Sequence, residues 1–317
     1  MAKRGHVDYQ LLSKVSYLYY QDGLTQKEIS RRLRISQPSV SRLLRKARRL
    51  GIVRVTCVPP SGIFTELERE LESRFGLFEA IVVPVTQSDS QEVITKELGI
   101  VGAEYLLRVV RPGDVIGFSW GKTLASLALN IIPKEVSGCQ VVQLIGGLGP
   151  PQSESHATDI ARHVAFALNA RLWLLWAPGI VKEISLKHAF LEEENNKKVF
   201  DMFSKITIAF VGIGSLSPSS IVIESGILSL EELNKLKNMG AVGDIALRFF
   251  DEYGNKVVSD IDDRVIGIDF GQLKSIKRVV GIAGGKDKIR AIKGALIGKL
   301  INVLITDNLT AEDLLNN

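Results

Sequence analysis

The chain has 317 residues, 45% of them hydrophobic and 24% charged, with four histidines, two cysteines and a net charge of +5. That length and apolar content predict a globular protein of two domains, and two isolated cysteines exclude a disulfide framework. No apolar run approaches the ~20 residues of a membrane span, and "MAKRGHVDYQ" lacks a signal-peptide core, so the expectation is a cytoplasmic protein without a membrane partner.

The positive charge is concentrated at one end. Residues 1 to 60 hold thirteen Lys and Arg against Asp8, Asp22 and Glu28, a net +10, leaving 27 basic and 32 acidic residues, −5, for the remainder. A basic head on a mildly acidic body points to a polyanionic partner at the head. Leu11, Leu12, Val15, Leu18 and Tyr19 form an amphipathic first helix ending near Gly23. Thr25 followed by Glu28 is a capping box that starts a second helix, with Ile29 and Leu33 on its apolar side. Ser36 is the next N-cap, Pro38 lies in the first turn, and Val40, Leu43, Leu44, Ala47 and Leu50 recur at helical spacing. The opposite face of this third helix reads Gln37, Ser39, Ser41, Arg42, Arg45, Lys46, Arg48 and Arg49 without one acid.

Two short helices, the second polar at its start and basic along its length, match a helix-turn-helix whose second helix enters the major groove of double-stranded DNA. Gln37, Ser39 and Arg42 are placed to reach base edges, while Arg45, Lys46, Arg48 and Arg49 suit phosphates. Ser41 and Thr25 complete the expected DNA surface. A hairpin used only for packing does not require an acid-free exposed face. Gly51 can supply a left-handed helix end, and "IVRVTCV" alternates as a wing strand does, giving a winged helix-turn-helix over residues 1–58.

"PPSGI" at 59–63 breaks the chain, and Phe64, Leu67, Leu71 and Phe75 lie on one face of a helix that can pack on the body or pair with another subunit. Residues 59–76 are therefore expected as linker and linker helix, with an effector domain over 77–317. There, apolar runs at 80–85, 114–118, 140–145, 171–176, 206–213, 279–283 and 301–306 alternate with helical segments near 91–110, 121–132, 156–169, 229–239 and 287–299. The pattern predicts an α/β domain, Rossmann-like, with a mostly parallel sheet covered on both faces and ligands bound beyond the carboxyl ends of the strands.

Four strand ends are glycine-rich: "GFSWGKT", "LIGGLG", "VGIGS" and "IAGGKDK". The first resembles a nucleotide-binding loop, but Gly117 and Gly121 enclose only three residues where the P-loop needs four, which argues against a kinase. Together the loops are expected to converge on one crevice. Gly117, Ser119, Gly121 and Thr123 open a helix, Gly146, Gly147 and Gly214 with Ser215 allow close backbone approach, and Lys286 or Lys288 adds a cation, a set suited to one phosphate and its sugar. Asp244 and the run Asp260, Asp262 and Asp263 are acids that an enzyme could use, although such a run reads more simply as a solvated turn. His6, His156, His163 and His188 have no metal-binding spacing, so no metal or cofactor is expected.

The head "LTQKEISRRLRISQPSVSRLLRKARRLGIV", followed by "GDVIGFSWGKT", "QLIGGLG", "AVGDIALRFFDEYG" and "RVVGIAGGKDKIRAIKGALIGKLINVLITD", resembles SorC-type bacterial transcriptional regulators over essentially the whole chain. The resemblance implies an effector domain similar in fold to sugar-phosphate isomerases and amino-sugar phosphate deaminases, without catalysis. It also implies a homotetramer or homodimer whose grip on its operator is set by a phosphorylated sugar. Carried onto this sequence, it places the phosphate at Ser119, Gly121 and Thr123 with Lys288 as the lysine of a GGxxK motif, sets Asp244 against sugar hydroxyls and brings His156 near the ligand. Just before the paired glycines some relatives carry Lys or Arg; Ile145 here removes a Schiff base or second phosphate cation. The alternatives are an isomerase-like enzyme carrying a DNA-binding head, which turnover would reveal, and an architectural DNA binder without a ligand.

Overall fold

The computed structural model describes residues 8–54, 60, 62–148 and 156–316. It divides into two compact units, Met1–Pro59 and Pro60–Asn317. No helix among the described residues is long and apolar enough to cross a membrane.

The first unit contains three helices, α1 (Tyr9–Tyr20), α2 (Gln26–Leu33) and α3 (Gln37–Arg49), around a core of Val15, Leu18, Ile29, Val40 and Leu44. Each starts at a side-chain cap. Asp8 accepts the Leu11 N–H, Thr25 and Glu28 form the full capping box, and Ser36 accepts the Ser39 N–H. Arg34 is left-handed at the end of α2, which turns the chain into α3, and Gly51 is left-handed after α3. Ile52–Arg54 lie in no strand, and the rest of the expected wing, with Cys57, lies outside the described residues.

The second unit is built on a seven-stranded sheet in the order β1 (Glu79–Val83), β10 (Val303–Asp307), β9 (Arg278–Ile282), β5 (Ile208–Gly212), β2 (Val115–Phe118), β3 (Gln140–Gln143) and β4 (Arg171–Trp173). Every neighbouring pair is parallel. Cores cover both faces, which explains the continuous apolar runs. The helices Gln91–Val109, Lys122–Leu129 and Ala157–Leu168 cover one; on the other lie Thr65–Phe75, Glu194–Phe203, Ile289–Ile297 and Asn308–Asn316. Phe118 and Phe210, adjacent in the β2–β5 register, stack with centroids 5.0 Å apart.

A second, antiparallel sheet of β6 (Gly214–Ser215), β7 (Gly243–Ile245) and β8 (Arg248–Phe250) follows β5. It is not expected from the sequence, nor are the helices Ile184–Glu192 and Glu194–Phe203. The helix Thr65–Phe75 is no free linker element. It buries Leu71, and its Glu72 and Glu68 carboxylates accept the Ala80 and Val82 N–H groups at 3.0 and 3.1 Å. The four-residue spacing of the glutamates meets alternate N–H groups on the edge strand β1, which blocks that edge against further pairing. Burial pushes the Glu68 carboxyl up, which the Val82 N–H partly offsets.

Candidate functional site

The order of the main sheet reverses between β2 and β5: the chain proceeds outward through β2, β3 and β4, then returns to β5 and continues to β9 and β10 on the other side. The loops leaving β2 and β5 must part there, which opens a crevice at the carboxyl ends of the strands. The cleft at this point is lined by Trp120 to Leu124 after β2, by Gly212 to Ser215 after β5, and by Ser217, Ser219, Ser220, Asp244, Asp287 and Lys288.

Gly121 sits at the N-terminus of the helix Lys122–Leu129 with φ +119°, a conformation L side chains rarely adopt, so a glycine is required for the turn. The unpaired N–H groups of that first turn, with the Thr123 hydroxyl beside them, are a ready anion site. Ser119 is 1% exposed and stands behind this loop, its hydroxyl accepting the Gly212 N–H at 3.3 Å and so tying β2 to β5.

Asp244 is brought in by the small sheet, opposite Gly214, where a Cβ would stand 2.0 Å from its Oδ1. Its Oδ2 accepts the Leu247 N–H at 3.1 Å, bracing a two-residue turn in which Ala246 and Leu247 both have positive φ. Two non-glycine residues in that conformation store strain beside the cleft, since Ala246 lines it. Burial pushes the Asp244 carboxyl up to about 6, against the opposing pull of the Leu247 N–H and Lys288. Lys288 ends the turn Lys286–Lys288; its side chain is half-buried, and desolvation holds its pKa below the usual lysine value despite Asp244. Between the two lysines left open by the sequence, Lys288 lines this cleft, whereas Lys286 is exposed and lines a neighbouring surface groove.

Of the expected effector residues, the structure therefore brings Gly121, Thr123, Gly214, Asp244 and Lys288 together. The expectation that all four loops converge is corrected for the second, the loop after β3. Gly117 lies inside β2, where a Cβ would meet Leu144 at 2.6 Å, and Gly146 and Gly147 are spent on protein contacts. A Cβ on Gly146 would meet the Pro178 carbonyl at 2.5 Å, and the Gly147 N–H donates to the Ala177 carbonyl. His156 caps the helix Ala157–Leu168, its Nδ1 accepting the Thr158 N–H at 3.3 Å, with its ring against Gly147. Ile145 is fully buried and bridged to Gly267. Asp262 is no solvated turn residue: it is 4% exposed and pairs with buried Arg248 at 2.9 Å and with Lys256 at 2.5 Å. Burial works against its charge, but these two cations win and hold its carboxyl below the usual range. Gln91, whose amide donates to the Gly284 carbonyl at 3.1 Å, lines the cleft and carries no sequence signal of its own.

On the head, α3 has no acid, and Gln37, Arg42, Arg45 and Arg49 are exposed, with Ser39, Ser41 and Lys46 half-buried beside them. At its start a chain of hydroxyls links Ser36 to Ser39 at 2.8 Å, and Arg42 Nη2 donates to Ser39 Oγ at 3.1 Å. Thr25 is committed to the cap, donating to Glu28 Oε2 at 2.7 Å. Arg48, expected at phosphates, is exposed, with its Nε donating to the Tyr20 hydroxyl at 2.7 Å and the guanidinium over that ring.

Residues 62–316 match the Sugar-bind family of sugar-binding domains, and residues 15–60 match the MarR family. The chain belongs to the SorC family of sugar-binding transcriptional regulators. It is 35% identical over 308 residues to the deoxyribonucleoside regulator of Bacillus subtilis, covering 97% of this chain and 98% of that one. It is 32% identical over 311 residues to the sorbitol operon regulator of Klebsiella pneumoniae, covering 97% and 98%. The crystal structure of full-length SorC from Klebsiella pneumoniae superposes with a TM-score of 0.74, over 98% of this chain and 100% of that one. This regulator thus joins a DNA-binding head to a sugar-binding α/β unit.

Proposed function

We propose that the cleft between the β2 and β5 ends binds a phosphorylated sugar and that its occupancy sets the affinity of the head for an operator. The observation that carries this reading is the meeting of a helix N-terminus, a half-buried lysine and a buried carboxylate in one crevice. The N–H groups after Gly121, Thr123 and Lys288 receive the phosphate, whose charge a partly desolvated ammonium meets with less screening than at the surface. Asp244 accepts hydrogen bonds from the sugar hydroxyls, and its bracing by Leu247 fixes it before the ligand arrives. Two relatives named for deoxyribonucleoside and sorbitol regulation support a sugar-class effector. No catalysis is required: the cleft needs only to bind.

On the head, Gln37, Ser39 and Arg42 read bases while Arg45, Lys46 and Arg49 meet phosphates. The protein acts in the cytoplasm as a homodimer or homotetramer, because reading a two-fold operator takes paired heads. An effector that loosens DNA binding must itself be bound less well by the DNA complex.

The test is fluorescence anisotropy on DNA from upstream of the protein's own gene, repeated across a panel of sugar phosphates and the corresponding free sugars. One phosphosugar is expected to shift the curve where its free form does not. Thr123→Val, nearly isosteric, is expected to abolish that shift while leaving ligand-free DNA affinity intact. A normal response in the variant removes the helix N-terminus as the phosphate site.

A further inference from the structure

An ion pair stands at the rim of the cleft. Lys122, the first residue of the helix Lys122–Leu129, reaches Glu224 Oε2 with its Nζ at 2.6 Å. Glu224 closes a short helix, Ile221–Glu224, that follows the serine-rich segment 217–220 along the cleft. Lys122 lines the cleft too, and its charge is felt at Lys288, whose proton it makes easier to lose. Two lysines therefore line one crevice, and Glu224 pairs with one of them.

Ser220 gives an independent observation at the same place. It occupies the N-cap position of Ile221–Glu224, yet its hydroxyl makes no capping bond and is buried without a hydrogen-bond partner among the described residues. A buried hydroxyl in that condition needs a reason, and a site beside a ligand cleft supplies one.

We propose that the Glu224 carboxylate and the effector's phosphate compete for Lys122. Binding then exchanges the Glu224 carboxylate for phosphate on Lys122, and release of the segment gives the Ser220 hydroxyl a ligand oxygen to donate to. This deepens the sugar-phosphate reading and rests on it. The magnitudes favour exchange: both partners are about half exposed, at 61% and 46%, and an exposed ion pair is weak. A phosphate monoester carries a charge of about −1.5 to −2, and here it would also gain the helix N–H groups and Lys288. A neutral sugar has nothing with which to displace Glu224, so the pair also discriminates against the unphosphorylated ligand.

Inorganic phosphate, titrated calorimetrically into the full chain, tests this with Glu224→Gln, Lys122→Gln and the double variant. Glu224→Gln is expected to tighten phosphate by about fivefold, the scale of one exposed ion pair. Lys122→Gln should weaken it, and in that background Glu224→Gln should add nothing. Ser220→Ala should weaken phosphate in the Glu224→Gln chain. If Glu224→Gln leaves affinity unchanged while the parent binds, the exchange is wrong and the sugar-phosphate site stands. If Glu224→Gln tightens binding equally without Lys122, the effect is the general field of a carboxylate, and the exchange is likewise wrong. If neither phosphate nor any sugar phosphate binds the parent chain, the site reading falls and takes the exchange with it.

Discussion

The loops after β3 and β5 look alike in sequence: each follows a buried parallel strand and consists of small residues, Gly146–Gly147 in one and Gly214–Ser215 in the other. In the first, what approaches the glycine is main chain, the carbonyls of Ala177 and Pro178. In the second it is the Asp244 carboxylate, a side chain that faces a cleft. A glycine reports only that something comes close. Whether the neighbour is the protein's own backbone or the equipment of a binding site decides what the residue is for.

Alanine at the two positions should therefore fail differently. Backbone cannot yield to a Cβ 2.5 Å away, so Gly146→Ala is expected to cost about 2–4 kcal/mol in chemical denaturation. Effector affinity should fall only in proportion to the folded fraction. Gly214→Ala instead pushes on a carboxylate that can rotate away, so stability should fall by only about 1 kcal/mol while effector affinity drops tenfold or more. The reverse pattern would place the β3 loop, not the β5 loop, at the ligand.

Asp244 sharpens the contrast through pH. Its carboxyl is raised from 3.8 to about 6, so between those values the folded chain holds a proton that the unfolded chain has lost. Stability from this group is therefore gained as pH falls through about 6 and lost as pH rises through it. Melting of the ligand-free protein between pH 8 and pH 5 should show that gain, and Asp244→Asn should remove it. Effector affinity should move in the opposite sense, since a protonated Asp244 is a poorer acceptor for sugar hydroxyls. A phosphate group also titrates near pH 6, so the Asn variant should retain part of the ligand's own pH dependence.

The seven parallel strands were legible because burial on both faces leaves unbroken apolar runs, and the head because caps and helical periods are local signals. The small sheet was not legible, since strands of two or three residues, Gly214–Ser215 and Gly243–Ile245, carry no period. The helix Ile184–Glu192 buries no residue and so shows no apolar stripe. Of the cleft, Gly121 and Thr123 could be read as the start of a helix, while the weight on Asp244 and Lys288 came from resemblance to a family. Glu224 and Ser220 had no signal at all, because their meaning depends on Lys122, about a hundred residues earlier. Asp262 reads as a solvated acid for the same reason: its partner Arg248 lies on another element, and a run of acids does not show which one is buried.

The head offers the mildest version of the same comparison, among arginines that the sequence presents as one basic face. Arg42 is anchored to Ser39 at the start of α3, Arg45 is exposed on the next turn, and Arg48 is turned back onto Tyr20. Arg42→Ala should lower discrimination between operator and random DNA by about 1–3 kcal/mol, whereas Arg45→Ala should weaken both alike and reduce the salt slope by about one phosphate contact. Arg48→Ala should change the salt slope less than Arg45→Ala, because its guanidinium is held back on Tyr20 within the head; its cost should be a lower melting temperature of that unit. Anisotropy on cognate and random DNA across salt concentrations separates the three. If Arg48→Ala lowers the slope as Arg45→Ala does, the Tyr20 contact gives way to phosphate on binding, and the free head is then a poor guide to which arginines face DNA.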